Sequence, residues 1–364
     1  MKQYIVVCRK ERRGKDIKQK RQRPQENKEE NIMKKTLWAR VLTLVVALAM
    51  VLSVAACAKD GAVSDSDAAV SASNAQTEPV KVVALSGPTG ISMAKLAKDA
   101  QTSGEYDVKF VGAPDEITGL LTTKEVDVAC VPTNLASVLY NKTEGGVRTV
   151  AVTTLGVLYL LDASGEINSL EDLAGKTIGA TGQGSNPEYI LNYILKGNGL
   201  DDVTVNYYSE HAELAALMVS GEIKTAMLPV PFATQVQNKV EGVKVIDLQA
   251  EWAKISDTEI AQGVLVCTDE FAQNNPEQLA KLLSDYEASA NFANSDVETT
   301  AQYVEELQII ASAAMAKQAI PQCNIVCVKG EEMKELVSDF LKVLHEANPK
   351  AVGGKLPADD FYVI

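Results

Sequence analysis

Short apolar runs alternate with longer amphipathic segments along the chain after residue 79. The runs are rich in β-branched residues, which favour strands, and the segments between them repeat apolar positions at helical spacing. Strands are predicted at 80–85, 107–111, 127–131, 148–153, 176–180, 203–207, 225–228 and 243–247. Helices are predicted at 91–102, 115–123, 134–142, 187–197, 211–220, 232–239, 276–293, 297–307, 311–317 and 331–347. This order predicts an α/β fold with largely parallel sheets flanked by helices, followed by a helical C-terminal tail.

The chain also matches itself at an offset of 95–97 residues. Residues 125–145 and 222–242 are identical at eight of 21 positions without a gap, and KVVALSG at 81–87 aligns with KTIGATG at 176–182. Such a duplication predicts two lobes built on one plan, with a cleft between them. The expected lobes span 79–162 plus 264–364 and 163–263, with crossing strands at 156–161 and 263–267.

The first 57 residues have the pattern of an export signal. Two lysines precede the apolar run 41–54, which ends in Val-Ala-Ala-Cys at Cys57. The run is short for a membrane span, and small polar residues follow it. We therefore predict a lipoprotein signal peptide over 33–56, lipidation of Cys57 and a flexible linker over 57–78. An ordinary secretory signal that ends in cysteine is the alternative, and residues 1–32 are predicted to be a non-native upstream extension.

Charge is distributed unevenly along the chain. It has 35 Lys and Arg against 48 Asp and Glu, and residues 57–364 alone carry a net charge of −22. An acidic body repels phosphate backbones, which excludes a nucleic-acid partner. Arg148 is the only arginine after Cys57. A bidentate guanidinium clamp on a carboxylate or phosphate is therefore not expected in the cleft, and Arg148 is expected at the surface.

Residue patterns typical of catalytic or metal sites are missing from the sequence. The two histidines are His211 and His345, and there is no H-E-x-x-H, C-x-x-C or G-x-S-x-G. We predict no catalytic residue, no metal and no cofactor, with His211 the one candidate acid or base. The spacing of Cys323 and Cys327 leaves a disulfide open.

Ligands of open parallel sheets lie beyond the carboxyl ends of the strands, where helix N-termini point. The strand-to-helix junctions of both repeats, with two aromatic residues, supply the candidates for ligand binding. These are Ser86, Gly87, Thr89, Gly90, Thr133, Asn134, Tyr159, Gly184, Ser185, Asn186, Pro231 and Phe232. Such residues also serve simply as turns and caps. Glu210 fits either a ligand amine or the first turn of a helix, and Tyr189 and Trp252 fit either a ligand contact or the core.

Several segments resemble the solute-binding proteins of bacterial ABC importers, in the branch that binds aliphatic sulfonates, taurine, nitrate and thiamine-precursor pyrimidines. They are 169–179 (SLEDLAGKTIG), 182–187, 214–222, 229–233, 262–266 and 275–277. The resemblance covers about 79–345. It implies a two-lobed type II periplasmic-binding-protein clamshell that holds its ligand at the strand-to-helix junctions.

The resemblance also implies a role and partners. We expect a monomer, lipid-anchored to the outer face of the bacterial cytoplasmic membrane. It would capture a small polar organic ligand and deliver it to an ABC permease with its ATPase. A sulfonate-like anion is the first expectation for the ligand, and a thiamine-precursor pyrimidine is the second. The alternatives are an enzyme on the same fold, in which His211 would act, and a sensory lipoprotein.

Overall fold

A computed structural model describes residues 78–364. The predicted extension, signal peptide, lipidated cysteine and linker up to residue 77 lie outside the described residues. Within 78–364, the helices are all too short or too polar to span a bilayer.

The described residues form eleven strands in two sheets. The strands are β1 Val80–Leu85, β2 Tyr106–Val111, β3 Val128–Pro132, β4 Val147–Thr154, β5 Leu158–Asp162, β6 Thr177–Thr181, β7 Thr204–Tyr208, β8 Thr225–Pro229, β9 Lys244–Asp247, β10 Gly263–Thr268 and β11 Ile325–Val328. The first sheet has the order β11-β4-β10-β3-β1-β2, and the second has the order β7-β6-β8-β5-β9. We call each sheet with its flanking helices a lobe, lobe 1 for the first sheet and lobe 2 for the second.

Helices connect the strands and cover the sheets. They are α1 Pro88–Ser92, α2 Ala94–Ser103, α3 Pro114–Thr122, α4 Thr133–Lys142, α5 Asn186–Gly197, α6 His211–Ser220, α7 Phe232–Lys239, α8 Leu248–Trp252, α9 Asp269–Asn274, α10 Pro276–Ser295, α11 Val297–Glu306, α12 Ala313–Ala319 and α13 Gly330–Ala347. The C-terminal tail packs on lobe 1, where α10 contacts α2 and β11, and α13 contacts β4 and α4. Its short strand β11 was not predicted, because four residues in a helical region carry too little pattern to be recognised.

The duplication corresponds to a repeated sheet plan. In lobe 1, β1 lies between β2 and β3 and is parallel to both, and in lobe 2, β6 lies in the same way between β7 and β8. One antiparallel strand then follows in each sheet, β10 beside β3 and β5 beside β8. The predicted α/β fold with two sheets flanked by helices is confirmed.

The crossing between the lobes lies earlier than expected. β5 was assigned to the first lobe, but it pairs with β8 and β9 in the second sheet, with Tyr159 opposite Leu228 on one side and Asp247 on the other. The chain therefore crosses at 155–157, immediately after β4. It returns through α8 and residues 253–262 to β10.

The structure also shows the surroundings of Arg148 and of the two cysteines Cys323 and Cys327. Arg148, on β4, forms an ion pair with Asp269 and donates a hydrogen bond to the backbone oxygen of Asp360. Its side chain is 22% exposed, so it is partly buried in a structural contact rather than free on the surface. Cys323 and Cys327 are both free thiols.

Candidate ligand-binding site

A cavity of about 470 Å³ lies between the two lobes, at the carboxyl ends of the parallel strands. Lobe 1 contributes residues that follow β1 and β2 together with Pro132, the last residue of β3, and lobe 2 contributes residues that follow β6, β7 and β8. Thr154, Val157, Gln262 and Gly263 close it where the chain crosses between the lobes. The predicted junctions thus come together around one cavity.

A second cavity, of about 640 Å³, is larger but lies elsewhere. It is a groove between α5 and α13, lined by Tyr193, Lys196 and Glu346 among others. None of the twelve predicted ligand-binding residues lines this groove. We therefore place the candidate site in the cavity between the strand-to-helix junctions.

Three helices begin at the cavity wall of lobe 2. These are α5 at Asn186, α6 at His211 and α7 at Phe232, and all three residues line the cavity. No side chain caps the first turn of any of them. Backbone N–H groups in an uncapped first turn are free to bind an anion or a polar acceptor. The helices α6 and α7 offer such groups, whereas Pro187 in the first turn of α5 has no N–H and the Glu188 N–H donates to the backbone oxygen of Ser185. This wall can therefore hold an electronegative group without a cationic side chain.

His211 and Phe232 form an aromatic part of the same wall. Their ring centroids are 5.3 Å apart, and the Nδ1 atom of His211 lies 2.6 Å from the hydroxyl oxygen of Thr181. Burial lowers the pKa of the His211 imidazole, against the opposing effect of the Glu210 carboxylate. The imidazole is therefore uncharged near neutral pH, and its ring is oriented by Thr181.

Among residues 78–364, those that line the cavity include almost no charged side chains. Glu210 is the one acidic residue of this described lining, and none of the lining residues is Lys or Arg. Within 78–364, no group of three or more His, Cys, Asp and Glu side chains is arranged to hold a metal ion. The lining offers hydrogen-bonding groups, helix N-termini and apolar surface.

Most of the predicted site residues line the cavity. Those that do are Ser86, Gly87, Thr89, Ser185, Asn186, Pro231 and Phe232. Their contact with a ligand stays a prediction.

The other five candidates lie outside the lining, and hydrogen bonds within the protein account for three of them. The Thr133 hydroxyl donates to the backbone oxygen of Ala261 at 2.5 Å, and the Tyr159 hydroxyl donates to that of Gln322 at 3.2 Å. Gly184 N–H donates to the Glu188 carboxylate. Gly90 lies against the backbone oxygen of Leu85, and the remaining candidate, Asn134, is buried at 7% exposure.

Gln262 is a lining residue that was not among the candidates. Its backbone N–H donates to Thr154, and its backbone oxygen accepts from the Thr133 N–H and from the Asn186 side chain. It thereby connects β4, α4 of lobe 1 and α5 of lobe 2. The sequence marks it only as the residue before the apolar strand 263–267, and nothing local to it indicates a cavity.

Comparisons with known proteins agree with this geometry. A family model described as NMT1/THI5 like matches residues 107–300. The structure is similar to that of an ABC transporter from Parabacteroides distasonis, with a TM-score of 0.69 and 26% identity over 79% of this chain and 99% of the other. No curated protein sequence matches the chain.

Two sulfonate-binding proteins share the fold at lower identity. The periplasmic aliphatic sulphonate binding protein SsuA from Escherichia coli has a TM-score of 0.61 and 16% identity, over 76% of this chain and 90% of the other. The alkanesulfonate-binding protein SsuA from Xanthomonas axonopodis pv. citri, bound to MOPS, has a TM-score of 0.56 and 13% identity, over 77% and 95%. The predicted family and the periplasmic-binding-protein fold are thus confirmed.

Proposed function

Because the chain belongs to the NMT1/THI5-like family, we propose that it is the extracytoplasmic solute-binding component of an ABC importer. The observation that carries this proposal is the cavity between the lobes, which the strand-to-helix junctions of both sheets line together. A ligand in that position contacts both lobes at once, so it binds most tightly when they are closed on it. The closed form would then dock on the permease, which acts with its ATPase.

Two ligand classes are supported by different features. A sulfonate-like anion fits the uncapped N-termini of α6 and α7, and it fits the similarity to the sulfonate-binding proteins of E. coli and X. axonopodis. An uncharged heteroaromatic ligand, such as a thiamine-precursor pyrimidine, fits the absence of Lys and Arg from the described lining. Both are small polar organic molecules.

A thermal-shift panel tests the proposal directly. The purified protein is screened against alkanesulfonates, inorganic anions, pyrimidines, amines and amino acids. A ligand at a hundred times its Kd stabilises the folded state by about 2.7 kcal/mol. We expect one class to raise the Tm by several degrees, at roughly 2–4 °C per kcal/mol. A panel without any shift would count against a solute-binding role.

We expect Phe232→Ala to weaken binding of the ligand found in that panel. Phe232 is half-buried in the cavity wall, and its ring is the largest apolar group that the first turn of α7 presents there. Loss of an aromatic contact should reduce affinity by about tenfold, measured by calorimetric titration. The matched control is Phe292→Ala, since Phe292 is also half-buried but stacks on Tyr303 in lobe 1, outside the cavity. An equal loss of affinity in both variants would contradict the placement of Phe232 in the wall of the ligand site.

Export and lipid anchoring form part of the proposal and rest on the sequence. The apolar run 41–54 and the Val-Ala-Ala-Cys ending at Cys57 support them. We expect a Cys57→Ser variant to lose membrane attachment and to appear in the soluble fraction after cell lysis. Cys323→Ser, a substitution at a buried free cysteine, is the control that should stay attached. Retention of Cys57→Ser on the membrane would exclude the anchor.

The contact between Thr181 and His211 bears on the enzymatic alternative. A hydroxyl next to an imidazole is the geometry of a nucleophile and its base. Thr181, however, is fully buried on β6 and does not line the cavity. Its hydroxyl is in a position to orient the imidazole but not to meet a ligand, which supports binding rather than catalysis.

A further inference from the structure

Two amide side chains at the crossing between the lobes have oxygen atoms without a partner. Asn186 is fully buried, and its Oδ1 accepts no hydrogen bond from the described protein. The Oε1 atom of Gln262 is likewise buried and without a partner. Both residues line the cavity. Buried polar atoms are normally hydrogen-bonded. Two buried oxygen atoms without a donor, both on residues of the cavity wall, therefore indicate that a ligand supplies the donor.

The orientation of the Asn186 amide follows from its other contact. Its Nδ2 donates to the backbone oxygen of Gln262 at 3.0 Å. A flipped amide would place two oxygen atoms against each other, so the Oδ1 atom is the one left free. Asn186 therefore offers an acceptor to the cavity.

Gln262 is held in place by its backbone. Its N–H donates to Thr154 at 3.0 Å, and its oxygen also accepts from the Thr133 N–H at 3.2 Å. None of these hydrogen bonds uses the side chain. A substitution of the side chain therefore changes what the cavity offers and leaves the crossing between the lobes intact.

The charge of the lining limits the ligand further. Glu210 is the only carboxylate in the described lining, and there is no Lys or Arg to balance it. His211 does not supply a positive charge near neutral pH, as described above. An anion without hydrogen-bond donors would leave the Asn186 Oδ1 atom unpaired and would meet no cationic side chain.

We propose that this cavity selects an amine- or amide-bearing small molecule with no net negative charge, whose N–H groups donate to Asn186 Oδ1 and Gln262 Oε1. The proposal rests on the proposed solute-binding function and names the ligand chemistry of the same site. It admits a zwitterionic sulfonate with an ammonium group as well as an uncharged amide or amino-substituted ring.

Paired probes test it. Taurine and ethanesulfonate share a sulfonate, but only taurine has an N–H donor and no net charge. Nicotinamide and N,N-dimethylnicotinamide are both uncharged, and only the first has N–H donors. We expect the donor-bearing member of at least one pair to bind about tenfold more tightly than its partner, which corresponds to about 1.4 kcal/mol. Calorimetric titration of the full-length protein gives the ratio.

Substitutions of Asn186 and Gln262 test whether their side-chain amides cause the preference for ligands with N–H donors. Gln262→Leu should remove the difference in affinity between the two members of a probe pair. Gln262→Glu, which keeps an acceptor oxygen at this position, should retain it. Asn186→Leu should act like Gln262→Leu, although its loss of the contact with Gln262 also affects folding. Asn192→Leu is the matched control, because Asn192 is an exposed asparagine on the same helix. It should bind like the unmodified protein.

The outcomes separate this inference from the proposed function. Binding of ethanesulfonate as tight as that of taurine, together with binding of the dimethyl amide as tight as that of nicotinamide, would overturn the inference and leave the solute-binding function standing. A donor preference that survives in Gln262→Leu and Asn186→Leu would do the same. Failure of these four probes together with the whole panel described above would overturn both.

Discussion

Trp252→Ala is expected to lower the free energy of unfolding by about 3–5 kcal/mol, the largest single effect that the structure predicts. Trp252 ends α8 and is fully buried. Its ring lies 4.3 Å from that of Tyr193 on α5 and 5.9 Å from that of Phe340 on α13, and its Nε1 donates to the backbone oxygen of Thr258 at 2.7 Å. Truncation leaves a cavity among three helices, because the closely packed neighbours cannot fill the space. It also leaves the backbone oxygen of Thr258 without its donor.

Thermal and urea unfolding measure this loss. At roughly 2–4 °C per kcal/mol, the Tm should fall by about 6–20 °C. Trp252→Phe keeps most of the apolar volume and should lose less than Trp252→Ala. Val245→Ala is the control for an exposed apolar residue, since Val245 is 42% exposed, and should change stability little. A Trp252→Ala protein as stable as the Val245→Ala protein would show that this cluster is not part of the core.

Asp162→Asn should destabilise the protein by about 2–4 kcal/mol near neutral pH. Asp162 ends β5 at 2% exposure, and its carboxylate accepts from the hydroxyls of Thr225 and Ser164 and from the N–H groups of Gly165 and Ile167. An amide in its place presents an NH₂ group to donors, so at least one of these hydrogen bonds is lost. The segment of lobe 2 that follows β5 then loses a contact that holds it to the end of that strand.

The effect of this substitution depends on pH in a defined direction. Burial raises the pKa of Asp162, but the hydrogen bonds from Thr225, Ser164 and Ile167 outweigh it and hold the pKa below its ordinary value of 3.8. The stabilisation by the carboxylate is therefore present above about pH 4 and is lost as the pH falls through the lower folded-state pKa.

Urea unfolding at about pH 7 and about pH 3 measures this dependence. The gap in stability between the unmodified protein and Asp162→Asn should narrow at the lower pH. Asp201→Asn, at an exposed position, is the control and should show a small gap at both values. A gap for Asp162→Asn that widens on acidification would contradict the role of the carboxylate.

Local sequence patterns were sufficient to predict the architecture. The eight strands expected from β-branched runs are all present, with bounds within one residue of those in the structure at each end. The junctions that follow them meet at one cavity, because the carboxyl ends of parallel strands lie at the same edge of a sheet and the duplication places two such edges together. Seven of the twelve candidate residues therefore line the cavity.

The candidates that do not line it show where local patterns stop being informative. Thr133 and Asn134 follow β3 in the same way that Val230 and Pro231 follow β8, and only the second pair lines the cavity. The first turn of α4 is covered by the return segment at 261–262. The partner of Thr133 is 128 residues away in the chain. No property of Thr133 or its neighbours specifies that contact.

Hydrophobic periodicity and the duplication can be read from the order of residues alone, and they were enough to predict the class of fold and a cavity at the strand-to-helix junctions. Which polar atoms remain unpaired there is a different kind of property. Asn186 Oδ1 is free because its amide nitrogen already binds Gln262, and Gln262 is in place because Thr154 and Thr133 hold its backbone. Whether a buried hydrogen bond forms depends on groups brought together by the packing of both lobes, so the chemistry of the site follows only from the folded chain.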